Sequence, residues 1–269
     1  MEEGISAVAI WQEQGVWIFN QPIHMMGTSL IVHVYWVDGM LVDSGPHRLE
    51  KSISAFSDRH RPTKIVHTHF HEDHTGNTAY LTEKFRVSAY VHPLSQDICR
   101  QKGDIPLYRL AYWGKRPGFE AEPLSEFIEN AHSRFKVIST PGHTPDHVVF
   151  LDKEQGRLFS GDLFVHPKTR VVMNTENIPQ VMDSLRRLLK EDFHTVFCSH
   201  AGVIKDGYHL IQQKLSNLEE LRGEILRLRE KGLEPKEITR KLFPQTPSIT
   251  YFSLGEWSSL NLVRSVVND

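Results

Sequence analysis

Apolar residues in this chain recur at every second position near the N-terminus and at every third or fourth position later on. GVWIF (15–19), SLIVHVYWV (29–37) and MLVDSG (40–45) are short β-type runs, and Asp38-Gly39 between the last two is a hairpin signal. The chain therefore opens as a meander. Leu49, Ile53 and Phe56 then take helical spacing, KIVHT (64–68) reads as a buried strand and residues 75–85 as a helix. RVSAYVH (86–92), RFKVIST (134–140), HVVFLD (147–152) and RLFSGD (157–162) are further strands. Ile178, Val181, Met182, Leu185, Leu188 and Leu189 mark an amphipathic helix that leads into HTVFCSH (194–200). Strands that alternate first with turns and then with helices, twice over, predict two packed sheets with helices outside, an α/β sandwich.

Two regions stand apart from that rhythm. Residues 94–133 hold the aromatic stretch IPLYRLAYWGKRPGF and read as an insertion with some helix, a lid over a site or an oligomer contact. From about Gly207 the pattern is helical: Leu215, Leu218, Leu221, Ile225 and Leu228 form one stripe, and Ser253 with Glu256 reads as a capping box for a last helix through Val267. The expected organisation is one main domain over 1–206, carrying the 94–133 insertion, and a helical extension over 207–269 packed on it. No Pro/Gly/Ser-rich linker divides the two.

Composition narrows the function. A formal charge of -2 and a balanced C-terminal region disfavour nucleic acid and anionic membrane as partners, and no apolar run approaches a membrane span. The N-terminal MEEGISAVAIWQEQG lacks the basic and apolar segments of a secretory signal. With only Cys99 and Cys198, a reducing cytoplasm is the expected compartment. The outlying count is histidine, at 16.

Much of that excess sits in a few loops. HTHFHEDHTGN (67–77) places His69, His71, Asp73 and His74 directly after the strand KIVHT. His143, in PGHTPDH, follows FKVIST; Asp162 ends RLFSGD; His200 ends HTVFCSH. Strand ends are rigid platforms whose loops converge on one crevice. Neutral imidazole and carboxylate are ligands that borderline divalent metals prefer, and this set is large enough for two ions. The absence of cysteine from it argues against a closed structural zinc site.

The pattern His-x-His-x-Asp-His, then PGHT, then SGD, then a late strand-terminal histidine, resembles the metallo-β-lactamase fold superfamily over about residues 15–205. The resemblance implies a four-layer αββα sandwich and a metal-dependent hydrolase of the glyoxalase II or lactonase type. It implies a first metal on His69, His71 and His143, a second on Asp73, His74 and His200, and Asp162 bridging both. Zinc is the preferred metal, with iron or manganese compatible. LVDSG matches the family's early aspartate motif and makes Asp43 a support behind the ligand loop.

Two cations a few ångströms apart can hold a bridging water, lower its pKa and stabilise charge on the attacked and leaving groups. Asp73 is then expected to be both ligand and catalytic residue, orienting the water or accepting its proton. An ester, thioester, lactone or phosphodiester of a small molecule is the expected substrate. Asp162, where the commonest secreted β-lactamases have cysteine, disfavours antibiotic hydrolysis, and His71, where diiron flavoproteins have glutamate, disfavours that redox branch. CSHAGV lacks the glutamate-tyrosine that often follows the last histidine of hydroxyacylglutathione hydrolases. Two alternatives within the same fold remain. Mononuclear iron persulfide dioxygenases resemble the chain at His69, His71, His143 and Asp162, and small endoribonucleases share a helical tail.

Substrate contacts are expected from Met25, Tyr112, Trp113 and His166. His92 should share the metal-bearing edge, and His147 is a candidate to brace a ligand. An aromatic insertion could equally serve a homodimer.

Overall fold

The computed structural model describes residues 7–25 and 28–268, with the backbone alone for Met25 and Thr28. The chain begins with β1 (Ala9–Glu13), β2 (Val16–Asn20), the ribbon β3 (Ile23–Met25) and β4 (Thr28–Leu30), β5 (His33–Val37) and β6 (Met40–Val42). It continues through α1 (Glu50–Arg59), β7 (Lys64–Val66), α2 (Glu72–Thr75), α3 (Thr78–Phe85), β8 (Ala89–Val91), α4 (Gln96–Arg100), α5 (Leu107–Trp113) and β9 (Glu122–Pro123). Next come β10 (Phe127–Glu129), β11 (Arg134–Ser139), β12 (Val148–Asp152), β13 (Arg157–Gly161), β14 (Val172–Met173) and α6 (Ile178–Leu188). The last stretch holds β15 (Thr195–Cys198), β16 (Gly202–Ile204), α7 (Gly207–Glu230), α8 (Pro235–Leu242), α9 (Ser248–Phe252), β17 (Trp257–Ser258) and α10 (Ser259–Val267).

The strands form one sheet in the order β1-β2-β5-β6-β7-β8-β9 and a second in the order β10-β11-β12-β13-β15-β16. The first is antiparallel as far as β6 and parallel beyond it, with α1 and α3 as the crossovers that parallel neighbours require. In the second, β13 and β15 are the parallel pair, and α6 makes the crossover.

Two-residue alternation sorts the side chains into layers. Ile18, Tyr35 and Val66 face Phe135, Phe150, Phe159 and Phe197 between the sheets. Their neighbours Phe19, Val34 and Ile65 point outward onto Ile53 and Phe56 of α1 and Leu81 of α3. On the far side Val149, Leu151 and Val196 meet Leu185 of α6, Ile211 and Leu218 of α7 and Val263 of α10. The fold is thus the expected αββα sandwich with a helical C-terminal part. Each fully buried phenylalanine contributes about 2–3 kcal/mol relative to exposure, and truncating Phe159 to alanine would cost about 3–5 kcal/mol.

Several elements differ from the sequence pattern for identifiable reasons. SLIVHVYWV is two strands, because the chain leaves the ladder at Ile31, whose carbonyl faces a histidine instead. The helix expected over 75–85 starts at Thr78. Gly76 packs so tightly that a Cβ would lie 2.5 Å from the His47 nitrogen, and the Asn77 amide donates to the carbonyls of Ser44, Gly45 and Pro46. RVSAYVH shrinks to β8, since Arg86 takes the left-handed conformation that closes α3. The last helix is capped by Ser258, which accepts from the Asn261 N–H, while Ser253 accepts from the Trp257 N–H. Glu256 is turned toward Arg109 instead of capping a helix. β1, an exposed edge strand, has no clean alternation and was not expected. The 94–133 segment is also more regular than its sequence suggests, for it includes β10 and β9, edge strands of the two sheets. Among the described residues no helix is long and apolar enough to cross a membrane.

Candidate metal centre

The centre is assembled where β6, β7, β11, β13 and β15 end. Asp43, just past β6, adopts a left-handed backbone (φ 59°), which aspartate tolerates better than most residues. Its carboxylate accepts from the Thr68 N–H and hydroxyl, each at 2.9 Å, and faces His74 Nδ1 at 2.8 Å and His67 Nδ1 at 3.6 Å. Burial pushes the Asp43 carboxyl up, but the His74 and His67 imidazoles outweigh it and hold the group well below the usual carboxylate range. Asp43 therefore stands behind the ligand loop, as expected, and fixes which nitrogen of His74 faces inward.

The seven residues singled out by sequence come together. His69, His71 and His143 form one group, Asp73, His74 and His200 another, and His69, His74 and Asp162 a third, with the donor atoms of each group within 4.8 Å of one another. His71 Nδ1 lies 3.0 Å from His69 Nε2 and 3.2 Å from His143 Nε2. Asp162 stands in the middle. Its Oδ2 is 3.4 Å from His143 Nε2 and 3.3 Å from His200 Nε2, and its Oδ1 is 3.4 Å from His74 Nε2. Asp73 Oδ2 is 3.5 Å from His200 Nε2 and 3.8 Å from His74 Nε2.

The outer atoms explain the orientation of the inner ones. His200 Nδ1 lies 2.7 Å from the Ile31 carbonyl, and His143 Nδ1 lies 3.4 Å from Glu176 Oε2. Both rings are thereby held with Nε2 inward. His147 accepts from the Asp162 N–H through Nε2, so its Nδ1 carries the proton and donates to the Thr140 hydroxyl. It braces Asp162 from behind. Burial, followed by the neighbouring imidazoles, keeps His69 and His71 well below the ordinary histidine value, hence neutral, the form that ligates. Burial opposes protonation of His200 as well, but the Asp162 and Asp73 carboxylates raise it to about 10.

This donor set fits divalent cations. His71 Nδ1 faces both His69 Nε2 and His143 Nε2, and one ring nitrogen carries at most one proton to share between them, while the buried His74 Nε2 and Asp162 Oδ1 have no hydrogen-bond partner. Divalent cations would satisfy these atoms.

Residues 27–200 match the model of the metallo-beta-lactamase superfamily. The chain belongs to that superfamily. It is 27% identical over 224 residues to the beta-lactamase-like protein 2 homolog of Drosophila melanogaster, covering 77% of this chain and 71% of that one. It is 24% identical over 208 residues to an atrochrysone carboxyl ACP thioesterase of Aspergillus fumigatus, covering 76% of this chain but only 60% of the thioesterase. A metallo-beta-lactamase family protein of Thermus thermophilus superposes with a TM-score of 0.65 at 20% identity over 93% of this chain and 91% of that one, which shows the shared fold.

In this superfamily member the centre opens into a cavity of about 760 Å³, onto which His71, Asp73, His143, Asp162 and His200 all face. The insertion supplies one wall. Tyr108, Arg109, Tyr112 and Trp113 of α5 line it, and the Trp113 ring centroid is 6.5 Å from that of His200. Phe119 instead packs in the core, 5.7 Å from the His67 ring. His166 lines the mouth, its Nδ1 accepting from the Lys168 N–H. Met25 lies in β3, and its side chain is outside the described residues. His92 ends β8, which runs parallel to β7, so it shares the edge, but its Nδ1 accepts from the Leu94 N–H and it does not line the cavity.

Sequence reasoning missed the charged residues that tie this wall together. Arg109 grips Glu72 bidentately at 2.6 and 2.7 Å and reaches Glu256 at 3.1 Å, joining the insertion to the ligand loop and to the C-terminal region. Glu72 lies inside the histidine motif, between two candidate ligands, and its position was the available signal. Glu176 and Lys214 carried none.

Proposed function

We propose that this protein is a hydrolase that uses two divalent metals, zinc by preference, to cleave an ester, thioester, lactone or phosphodiester bond in a small molecule. The observation that carries the reading is the seven-residue centre at the floor of a largely apolar-walled cavity whose size suits a small molecule and not a polymer. His69, His71 and His143 would hold one ion, Asp73, His74 and His200 the other, and Asp162 would contact both. When bound, the pair supplies a Lewis acid and a water acidified toward neutrality.

The chain's own part is positioning and proton handling. Asp73 has one oxygen turned to His200 and His74, which leaves the other to accept a hydrogen bond from the attacking water and orient it. Water adds to the acyl or phosphoryl centre, the bond to the leaving heteroatom breaks, and the leaving group takes up a proton. Tyr112 and Trp113 would hold the apolar part of the substrate and keep bulk water out, with His166 and Met25 proposed as further contacts. The thioesterase among the relatives supports a thioester or ester within this set. Both cysteines are free and buried, which accords with the reducing cytoplasm in which we place the enzyme.

Elemental analysis of purified protein, followed by a panel of esters, thioesters, lactones and phosphodiesters, tests the proposal. The expected result is close to two divalent ions per chain with turnover on at least one class. One iron per chain with oxygen uptake on a persulfide would replace the hydrolase with a dioxygenase.

A further inference from the structure

Away from the metal-facing residues, the cavity wall contains one buried cation that the hydrolytic chemistry does not use. Lys214 comes from α7, is 7% exposed, and lines the cavity. Its Nζ donates to the carbonyls of Leu163 at 2.8 Å and Phe164 at 2.7 Å, the two residues after Asp162. An ammonium has three protons, so one remains uncommitted. The nearby acids are occupied elsewhere. Asp162 is engaged by His74, His143 and His200, and Glu176 by His143, and neither forms a salt bridge with Lys214 among the described residues. Burial lowers the Lys214 ammonium to about 8, with Glu176, Cys198 and Asp162 opposing, so it is still mainly cationic at neutral pH.

A buried charge without a counter-ion is costly, and a protein that merely needed to tie two carbonyls could do so with a neutral amide. The turn that Lys214 holds is itself strained. Val165, β-branched, sits at φ 48° with its side chain on the cavity and 41% exposed. The cavity lining also includes the apolar groups Tyr112 and Trp113 of α5 and Ile249 and Trp257 of the C-terminal region. One chamber thus offers a buried ammonium, a broad apolar surface and the metal-facing residues.

We infer that the substrate carries an anionic group, a carboxylate or phosphate, that pairs with Lys214 while its apolar portion lies against Trp113 and Trp257. This rests on the hydrolase reading for the reaction, but the anion site is testable without turnover.

The probes are phenylacetyl-β-alanine, its terminal carboxamide, and the analogue ending in a phosphate monoester, all joined by an uncleavable amide. Calorimetry on metal-loaded protein is expected to show the carboxylate or the phosphate binding at least about tenfold more tightly than the carboxamide, as a charged hydrogen bond confers. Which anion binds better separates the two sources. In Lys214→Gln, whose amide can still donate to both carbonyls, the preference should fall to within about twofold, whereas affinity for the carboxamide should hold. Thermal melts of Lys214→Gln and Lys214→Met establish that each variant is folded; should neither fold, a shift of the Lys214 Nζ resonance in wild-type protein on adding the carboxylate or phosphate, absent with the carboxamide, supplies the same information. Equal binding of the three probes, no binding of any, or a preference that survives in Lys214→Gln would overturn the inference. An intact anion preference alongside no cleavage of the matching thioesters would sink the hydrolase reading and leave the anion site standing.

Discussion

The loop from His67 to Asn77 and the wall that faces it across the cavity are made in opposite ways. The loop is local: consecutive residues deliver His69, His71, Asp73 and His74, and most of its outside support comes from the short neighbouring segment 43–47, with Arg109 reaching Glu72 from farther away. The wall is assembled from Ile31, α5, the 164–173 segment, Lys214 and Trp257, which are scattered over most of the chain. A local construction keeps its geometry when distant parts change, whereas a composite one depends on every contributor being docked. The two meet at the Arg109–Glu72 pair.

The contrast can be broken in four places, the first two with much the largest effects. Asp73→Asn removes a charge and a basic oxygen from the local half and leaves the wall alone, so turnover should fall by about 10²–10⁴-fold with little change in melting temperature. Wild-type rates in that variant would take Asp73 out of the mechanism. Ending the chain at residue 206 removes every C-terminal contributor and uncovers Val149, Leu151 and Val196 under α7 and α10, so soluble, cooperatively folding protein should be lost. A truncated chain that melts cooperatively and still binds metal would show that the extension is dispensable to the fold.

Arg109→Met strikes the joint itself. It strands Glu72, which is 4% exposed, and should cost about 3–5 kcal/mol, read by denaturant titration of the metal-loaded protein, together with a raised KM. If stability is unchanged, the loop does not depend on the wall. The mildest change is Trp113→Ala, which removes contact area near His200 without touching any metal-facing atom. It should raise KM or lower kcat/KM with metal content constant. Were α5 a dimer contact instead, the same variant would loosen association in sedimentation and leave the monomer's kinetics intact.

The same division governs what could be read from the sequence. The sheets were legible because strand periodicity is local, and the metal-facing set because each member ends a strand in a recognisable motif. Asp43 was found for the same reason. Arg109, Glu176 and Lys214 were not, because nothing in their immediate neighbours records that tertiary packing carries them to the site. Glu256 was misread as a helix cap: the local pattern Ser-x-x-Glu was present, but a buried guanidinium from the insertion competes more strongly for that carboxylate than a backbone N–H does. The break at Gly76 was likewise invisible, since it depends on the main chain of His47 pressing against it.

Because Lys214 and Trp257 belong to the wall, the order of synthesis has a bearing on what the nascent chain can do. A ribosome delivers every metal-facing residue by His200, but the chamber lacks Lys214 and then Trp257 until much later. The same late residues close the core over Val149, Leu151 and Val196, so neither the metal-facing set nor the chamber is held in place until the C-terminal helices dock. Centre and chamber are therefore completed together, at the end of synthesis and not in two stages.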